Sequence, residues 1–120
     1  MRKYSLVVAL VLAAPCSPVP SQALTQPALN CNVGPLGKTF GQTQWLVYSC
    51  NDPSTLIVVS AQGNPASPFY FSFSLEGSSY HLRGEGTGSK QASDAAYVEL
   101  QALTTAAIRG LIEQTRQAGK

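Results

Sequence analysis

The chain has 120 residues, a length that suits one small folded domain rather than several. Only 12% of its residues are charged and its formal net charge is +2, which argues against the strongly basic surface of a nucleic-acid-binding protein.

The first 23 residues have the three-part order of a cleavable secretory signal peptide. Arg2 and Lys3 precede an apolar run at 6–14, and a polar stretch follows that ends in Ala23. The apolar run is too short for a membrane-spanning helix, which needs roughly 20 apolar residues. We therefore expect no membrane span, cleavage near Ala23, and a mature protein in the periplasm or outside the cell.

Cys16 raises the alternative of a lipid anchor, because lipidation signals place a cysteine at the cleavage site. The residue before it is Pro15, whereas a small residue is wanted there, since proline fixes φ and lacks the backbone N–H. A lipid anchor is therefore not expected.

Cleavage would also change the cysteine count and the charge. Removing Cys16 leaves Cys31 and Cys50, an even pair that an oxidising compartment would bridge. Such a bridge should contribute about 3 kcal/mol to the free energy of unfolding by restricting the unfolded chain. Removing Arg2 and Lys3 leaves six basic and six acidic residues. The mature chain thus has no electrostatic feature that favours nucleic acid or anionic lipid.

After cleavage, residues 24–43 are rich in proline, glycine and asparagine and are predicted to form an irregular N-terminal arm. Residues 44–120 are predicted to form a single α+β domain. Its first part is a four-stranded antiparallel β-meander, with one or two C-terminal α-helices packed on the sheet. The predicted strands occupy residues 44–50, 55–60, 68–75 and 79–83.

The last two strands carry the clearest pattern, because apolar and polar residues alternate on both sides of Gly77-Ser78. Gly-Ser suits a two-residue type II′ hairpin turn, and this turn sets one register. In that register Leu75 faces Tyr80 and Phe73 faces Leu82 on the inner side of the sheet. The polar residues opposite one another on the outer side are Ser72 with Arg83 and Ser74 with His81.

Helix-forming residues follow from about residue 94. Ser93 is a plausible N-cap for a first helix at 94–103, and Thr104 could cap a second helix that runs to about Gln117. One longer helix, unbroken at Thr104, is the alternative. In both versions an apolar stripe faces the sheet, which we expect to present Phe69, Phe71 and Phe73 to the helices.

A glycine-rich segment, Gly84 to Lys90, joins the last strand to the first helix. It lacks the Gly-Lys-Ser/Thr of a P-loop and the G-x-G-x-x-G spacing of a dinucleotide site. We interpret it either as a flexible connection, in which glycines supply positive φ, or as a loop that contacts a partner, rather than as a phosphate site. The residues of this predicted partner-contact loop are Glu85, Thr87, Gly88, Ser89 and Lys90.

The outer sheet face supplies the other candidate surface, formed by Ser72, Ser74, His81 and Arg83. A serine opposite the only histidine suggests a small hydrolase, but no elbow motif surrounds any serine. We therefore expect no catalytic residues and no enzyme. One histidine and a bridged cysteine pair do not make a metal site, so no metal and no cofactor are expected.

Two short stretches resemble the C-type lysozyme inhibitor family of small envelope proteins. Tyr48-Ser49-Cys50 resembles that family's Tyr-x-Cys motif, and Thr87-Gly88-Ser89-Lys90 resembles its Ser-Gly-x-Lys/Arg loop. The resemblance implies that the loop enters the lysozyme cleft, with Thr87 as the loop hydroxyl and Lys90 as the cation. Gln91 replaces the family's tyrosine, and the predicted helical tail departs from the family's β-rich fold.

The sequence thus favours an exported, non-enzymatic binding or accessory protein. Its partner is expected to be a protein of the cell envelope or an external protein. Inhibition of c-type lysozyme through the segment 84–90 is the alternative function, and a small hydrolase is a further one.

Overall fold

The computed structural model describes residues 29–120, so the expected signal peptide and its cleavage site lie outside the described residues. Within them the chain forms a five-stranded antiparallel sheet, with the strands in chain order, and then two helices. The elements are β1 (Val33–Phe40), β2 (Thr43–Ser49), β3 (Thr55–Ser60), β4 (Phe69–Glu76), β5 (Ser79–Gly86), α1 (Lys90–Gln101) and α2 (Thr105–Ala118). The predicted α+β class is confirmed.

The prediction of four strands is wrong, because β1 lies within the segment 24–43 that was expected to be irregular. A two-residue turn at Gly41-Gln42 joins β1 to β2, and both residues have positive φ, 60° and 66°. This is the type I′ pattern of tight hairpins, in which glutamine is a rare second residue. The turn therefore left no recognisable sequence signal, and the strand before it is interrupted by Gly34, Pro35 and Gly37.

The predicted hairpin of β4 and β5 is confirmed, including its register. Leu75 pairs with Tyr80 and Phe73 with Leu82. The outer pairs are Ser72 with Arg83 and Ser74 with His81. Gly77 has φ 67° and only this first turn residue has a positive φ, as a type II′ turn requires.

One face of the sheet forms the core together with the helices. Trp45 is fully buried at its centre, and its indole Nε1 donates to Phe40 O (3.1 Å) and Thr43 Oγ1 (2.9 Å). The turn residue Gly41 lies so close to α1 that an added Cβ would stand 2.5 Å from Ala96 N. The β1–β2 hairpin thus fixes where α1 crosses the sheet. The other core residues include Val47, Leu56, Val58, Phe71, Phe73, Leu100, Ile108 and Ile112.

Two separate helices follow the sheet, and Thr104 caps the second as predicted, accepting from Ala107 N at 3.1 Å. The predicted N-cap Ser93 is wrong, because α1 begins one turn earlier and Ser89 is its cap. Ser93 is buried on the same helix face as Ala96 and Leu100. Ala96 and Leu100 follow Ser93 by three and seven residues, so the buried face of the helix includes its first turn. The helix therefore begins before Ser93.

The disulfide between Cys31 and Cys50 is present, with an S–S distance of 2.03 Å. It joins the residues just outside the paired ends of β1 and β2. Asn51 N also donates to Asn30 O at 2.8 Å, and Asn30 N donates to Asn51 Oδ1 at 2.9 Å. Among residues 29–120, neither helix is long and apolar enough to cross a membrane.

A buried pair of hydroxyl groups links α2 to the sheet. Thr115 Oγ1 lies 2.6 Å from Ser49 Oγ and 2.5 Å from Ile112 O, and both hydroxyl side chains are fully buried. Since a hydroxyl carries one proton, Thr115 donates to the carbonyl of Ile112 and Ser49 donates to Thr115. Each polar group at this contact is then satisfied, as burial requires.

We expect Thr115→Val to lower the free energy of unfolding by about 1–3 kcal/mol, because it leaves the Ser49 hydroxyl buried without an acceptor. Ser49→Ala in the same chain should recover a large part of that loss, since both polar groups are then gone. Urea unfolding of the two single variants and the double variant measures this coupling. Additive losses in the double variant would show that the two hydroxyls do not interact.

Candidate functional site

Among residues 29–120, strand β5 is the last strand of the sheet, so half of its backbone groups have no strand to pair with in that part of the chain. The hydrogen bond from Thr87 N to Pro68 O (3.0 Å), together with the register, fixes which residues face β4. Alternate residues of an antiparallel strand direct both N–H and C=O to the same side. The residues that bond to β4 are Ser79, His81, Arg83 and Glu85. The residues whose N–H and C=O point away from the sheet are Tyr80, Leu82, Gly84 and Gly86.

The opposite edge of the sheet, strand β1, is protected. Pro35 has no N–H to offer, and the pairing register shifts between Val33 and Leu36. Lys38 adds a charge on this strand, and α2 packs across it. Proline, irregular pairing, lysine and a covering helix are the devices that prevent edge strands from pairing with other chains. Strand β5 has no proline and no irregular pairing, its charged residues are the oppositely charged Arg83 and Glu85, and only its last part approaches α1.

A groove of about 660 Å³ runs beside the end of β5. Gly84 and Gly86 border it on the strand side, and the first turns of α1 border it on the other. Its lining residues are Phe69, Phe71, Gly84, Glu85, Gly86, Gly88, Lys90, Ser93, Asp94 and Tyr97. The backbone groups of β5 that point away from β4 therefore meet a preformed depression and not a flat surface.

Aromatic rings form the floor and the far wall of this groove. The ring centroids of Phe69 and Phe71 lie 4.9 Å apart, and Phe71 lies 6.3 Å from Tyr97. Trp45 supports both phenylalanines from below, at 6.4 Å from Phe69 and 5.3 Å from Phe71. Because Trp45 is fully buried while Tyr97 is 40% exposed, the cluster extends from the core to the surface.

Glycine is required at two positions of the β5 edge. A Cβ at Gly84 would stand 2.8 Å from the Phe71 ring, which is only 2% exposed. At Gly86 a Cβ would stand 2.3 Å from Pro68 O and 2.5 Å from Phe69 Cα. Side chains at these positions would collide with the rings and with β4, so the strand remains bare where it borders the groove.

The predicted partner-contact loop is held in place by the preceding segment. Thr87 N bonds to Pro68 O, and Ser89 N donates to Pro65 O at 2.9 Å. Gly88 passes so close to Ala66 that a Cβ there would stand 2.0 Å from its carbonyl oxygen. The loop therefore has a fixed path over residues 65–68, although most of its side chains are exposed.

The prediction of a loop over 84–90 is too long, because Glu85 lies in β5 and Lys90 begins α1, so only residues 87–89 connect the two elements. Glu85, Gly88 and Lys90 line the groove, whereas the Ser89 hydroxyl caps α1 by accepting from Ala92 N at 3.3 Å. Thr87 lies against a second depression on the other side of Gly86, lined also by Val59, Pro68 and Tyr70. Three of the five predicted loop residues thus border the groove, which is shared with β4 and α1.

Lys90 and Asp94 form an ion pair across one turn of α1, with 3.2 Å between Nζ and Oδ1. Glu85 accepts a hydrogen bond from the Tyr70 hydroxyl at 3.2 Å. This hydrogen bond and the nearby negative charge raise the pKa of Tyr70 above its usual value. The charges at the groove rim therefore already have partners within the chain.

The four residues predicted on the outer sheet face do not form a triad. Ser74 and His81 are cross-strand neighbours, but His81 Nε2 pairs with Glu76 Oε1 at 3.2 Å. This pair is more than half exposed, which does not provide the shielded setting of a catalytic base. Over residues 29–120 no group of three metal-ligating side chains comes together.

Sequence reasoning missed the walls of the groove. Phe69 and Phe71 were expected in the core, and Tyr97 belonged to the apolar stripe of the helix. The three rings meet at the surface only because of where α1 crosses the sheet. The sequence carries no local signal for that crossing. The clash that requires Gly84 also depends on a contact between strands.

Comparisons with models of known protein families, with curated proteins and with solved structures found no match for this chain. The function proposed below therefore rests on the geometry of residues 29–120.

We predict that Gly84→Ala lowers the free energy of unfolding by about 1–3 kcal/mol, because the added methyl overpacks against Phe71. Gly37→Ala is the matched control, since Gly37 also lies in an edge strand and no atom would come within 4 Å of its Cβ. Thermal unfolding of both variants measures the difference. Equal melting temperatures for the two variants would contradict the close contact between β5 and the ring.

Proposed function

We propose that this protein is a peptide-binding module, in which an extended segment of a partner protein adds to the free edge of β5 as a sixth strand. The observation that supports this most directly is the row of outward-pointing N–H and C=O groups at Leu82, Gly84 and Gly86, which borders the groove. Addition of a strand to an exposed sheet edge is an established mode of peptide recognition.

The spacing of these backbone groups suits an extended chain. Donors and acceptors recur at every second residue of β5, a repeat of about 6.6–6.8 Å along a strand. A peptide in extended conformation presents its own N–H and C=O groups at the same repeat. Because backbone groups are common to all sequences, this part of the interaction would supply affinity without selecting a sequence.

The groove would supply the selection. Alternate side chains of the added strand would point to the same side as Phe69 and Phe71 and reach the aromatic floor. Lys90 and Asp94 already neutralise each other at the rim, so a further charge would find no partner there. The groove therefore favours an aliphatic or aromatic side chain, and its volume of about 660 Å³ lies in the usual range of ligand pockets.

The proposed role is non-enzymatic and fits a protein that works after export. The Cys31–Cys50 bridge is weakly consistent with an oxidising compartment, where such bonds persist. In that setting the partner would be an envelope protein or an external protein that exposes an extended segment.

A phage-displayed library of random linear dodecapeptides tests the proposal, with the purified protein as bait. We expect enrichment of peptides with apolar residues at alternate positions. Chemical-shift changes of the bait on adding a selected synthetic peptide should centre on residues 82–86 and on Tyr97. No enrichment, or shift changes centred on another surface, would overturn the proposal.

Two neighbouring substitutions on α1 sharpen the test. Tyr97→Ala should weaken the selected peptide's affinity about ten-fold, because aromatic contact and buried area together are worth about 1–2 kcal/mol. Val98→Ala is the control, since Val98 is 60% exposed on the same helix and does not line the groove. Isothermal titration calorimetry measures both dissociation constants. Equal effects of the two substitutions would count against the groove.

Lysozyme inhibition remains the alternative proposal. It is supported by the Lys90 side chain, which is 84% exposed at the end of the segment that resembles the inhibitor loop. We expect Lys90→Ala to abolish inhibition of lysozyme. Lys120→Ala, two residues beyond the end of α2, should keep it. Unchanged lysis of bacterial cell walls by c-type lysozyme at micromolar wild-type protein would exclude this function.

A further inference from the structure

We propose that a second copy of this chain occupies the same free edge, so that two β5 strands pair antiparallel about a twofold axis. The inference rests on the free edge that also supports the proposed function, but it requires no peptide ligand. An eight-residue edge strand without proline or an irregularity is a template for such pairing. A twofold axis makes the contact self-complementary and closed.

Hydrogen-bond geometry limits the possible registers. Residues directly opposite each other in an antiparallel pair are either both bonded or both unbonded. The outward-pointing groups of β5 belong to even-numbered residues, so an even residue must face an even residue of the second copy. The twofold axis then passes through the centre of one residue pair, and an axis at any residue from His81 to Glu85 pairs at least two outward-pointing residues of each copy.

Charge selects among these centres. An axis at Gly84 places Arg83 opposite Glu85 of the second copy, and by symmetry this attraction occurs twice. An axis at Arg83 or Glu85 places that residue opposite its own copy, whereas an axis at Leu82 places Glu85 opposite Ser79 and so gives Arg83 and Glu85 no attraction for each other. Opposite charges across a strand pair stabilise it and like charges destabilise it. Arg83 belongs to neither of the ion pairs found among residues 29–120.

Side-chain size agrees with the same register. With the axis at Gly84, Leu82 of one copy lies opposite Gly86 of the other on the inner face of the sheet. Gly86 is where the strand is bare beside Phe69 and the groove. The large Leu82 side chain thus lies opposite a residue that has no side chain, beside the Phe69 ring that fills the position of a Gly86 Cβ.

Dimer formation through β5 and peptide binding to β5 would exclude each other. A second copy would use the N–H and C=O groups of Leu82, Gly84 and Gly86 that a peptide needs. The monomer is then the form that binds peptides, and the dimer protects the exposed edge while no peptide is present.

Sedimentation equilibrium of the purified protein, without peptide, tests the dimer. Arg83→Glu and Glu85→Arg should each raise the dimer dissociation constant about ten-fold, since each creates two like-charge contacts. The double variant Arg83→Glu with Glu85→Arg restores opposite charges and should return the constant to within about three-fold of the wild type. Glu113→Arg, an exposed change on α2, is the control and should have no effect.

Every outcome separates this inference from the proposed function. A chain that stays monomeric at millimolar concentration, or a dimer that charge reversal does not weaken, overturns the inference. A double variant no better than the single variants also overturns it. Peptide selection and titration are performed at concentrations below the dimer dissociation constant, so their failure would overturn only the peptide proposal.

Discussion

The rings of Phe69 and Phe71 occupy the space that side chains of β5 would need, and much of the structure depends on this overlap. Glycine is the only residue type that fits at positions 84 and 86, because a Cβ there would collide with the rings or with the adjoining backbone of β4. The last strand of the sheet is consequently bare over the aromatic cluster. The same cluster packs on Trp45 in the core and reaches Tyr97 on α1, so the groove and the core share one set of contacts.

The two edges of the sheet are treated differently. Pro35, the register shift before Leu36 and the overlying α2 protect β1, and the disulfide holds its start against the end of β2. Strand β5 keeps a regular ladder with β4 up to Gly86, has no proline, and is approached by α1 only at its last part. An unprotected edge strand can pair non-specifically with other chains. The proposed occupants, a peptide or a second copy, would give this exposure a function.

Local chemistry explains which parts of the fold were predictable. The register of β4 and β5 followed from the alternation of Phe71 and Phe73 with serines and from the turn at Gly77. Thr104 was recognisable as a cap because a hydroxyl residue precedes a run of helix formers. In the same way, the pairing of Cys31 with Cys50 followed once Cys16 was assigned to the signal peptide.

The remaining features depend on contacts between distant parts of the chain. Strand β1 was missed because Gln42 adopts a left-handed conformation that local preference does not favour. The start of α1 at Lys90 is decided by burial of Ser93, which depends on the sheet beneath it. The groove appears only when the close approach of Gly41 to Ala96 has placed α1 beside β5. No spacing of residues within either element encodes that arrangement.

Amide hydrogen exchange along β5 in the dilute monomer tests the central claim most directly. The account predicts slow exchange at His81, Arg83 and Glu85, whose N–H groups bond to β4, and fast exchange at Leu82, Gly84 and Gly86. Addition of a selected peptide should slow the second group and leave the first unchanged. Equal protection of all six amides in the dilute, peptide-free monomer would show that the edge is already occupied and would contradict the account.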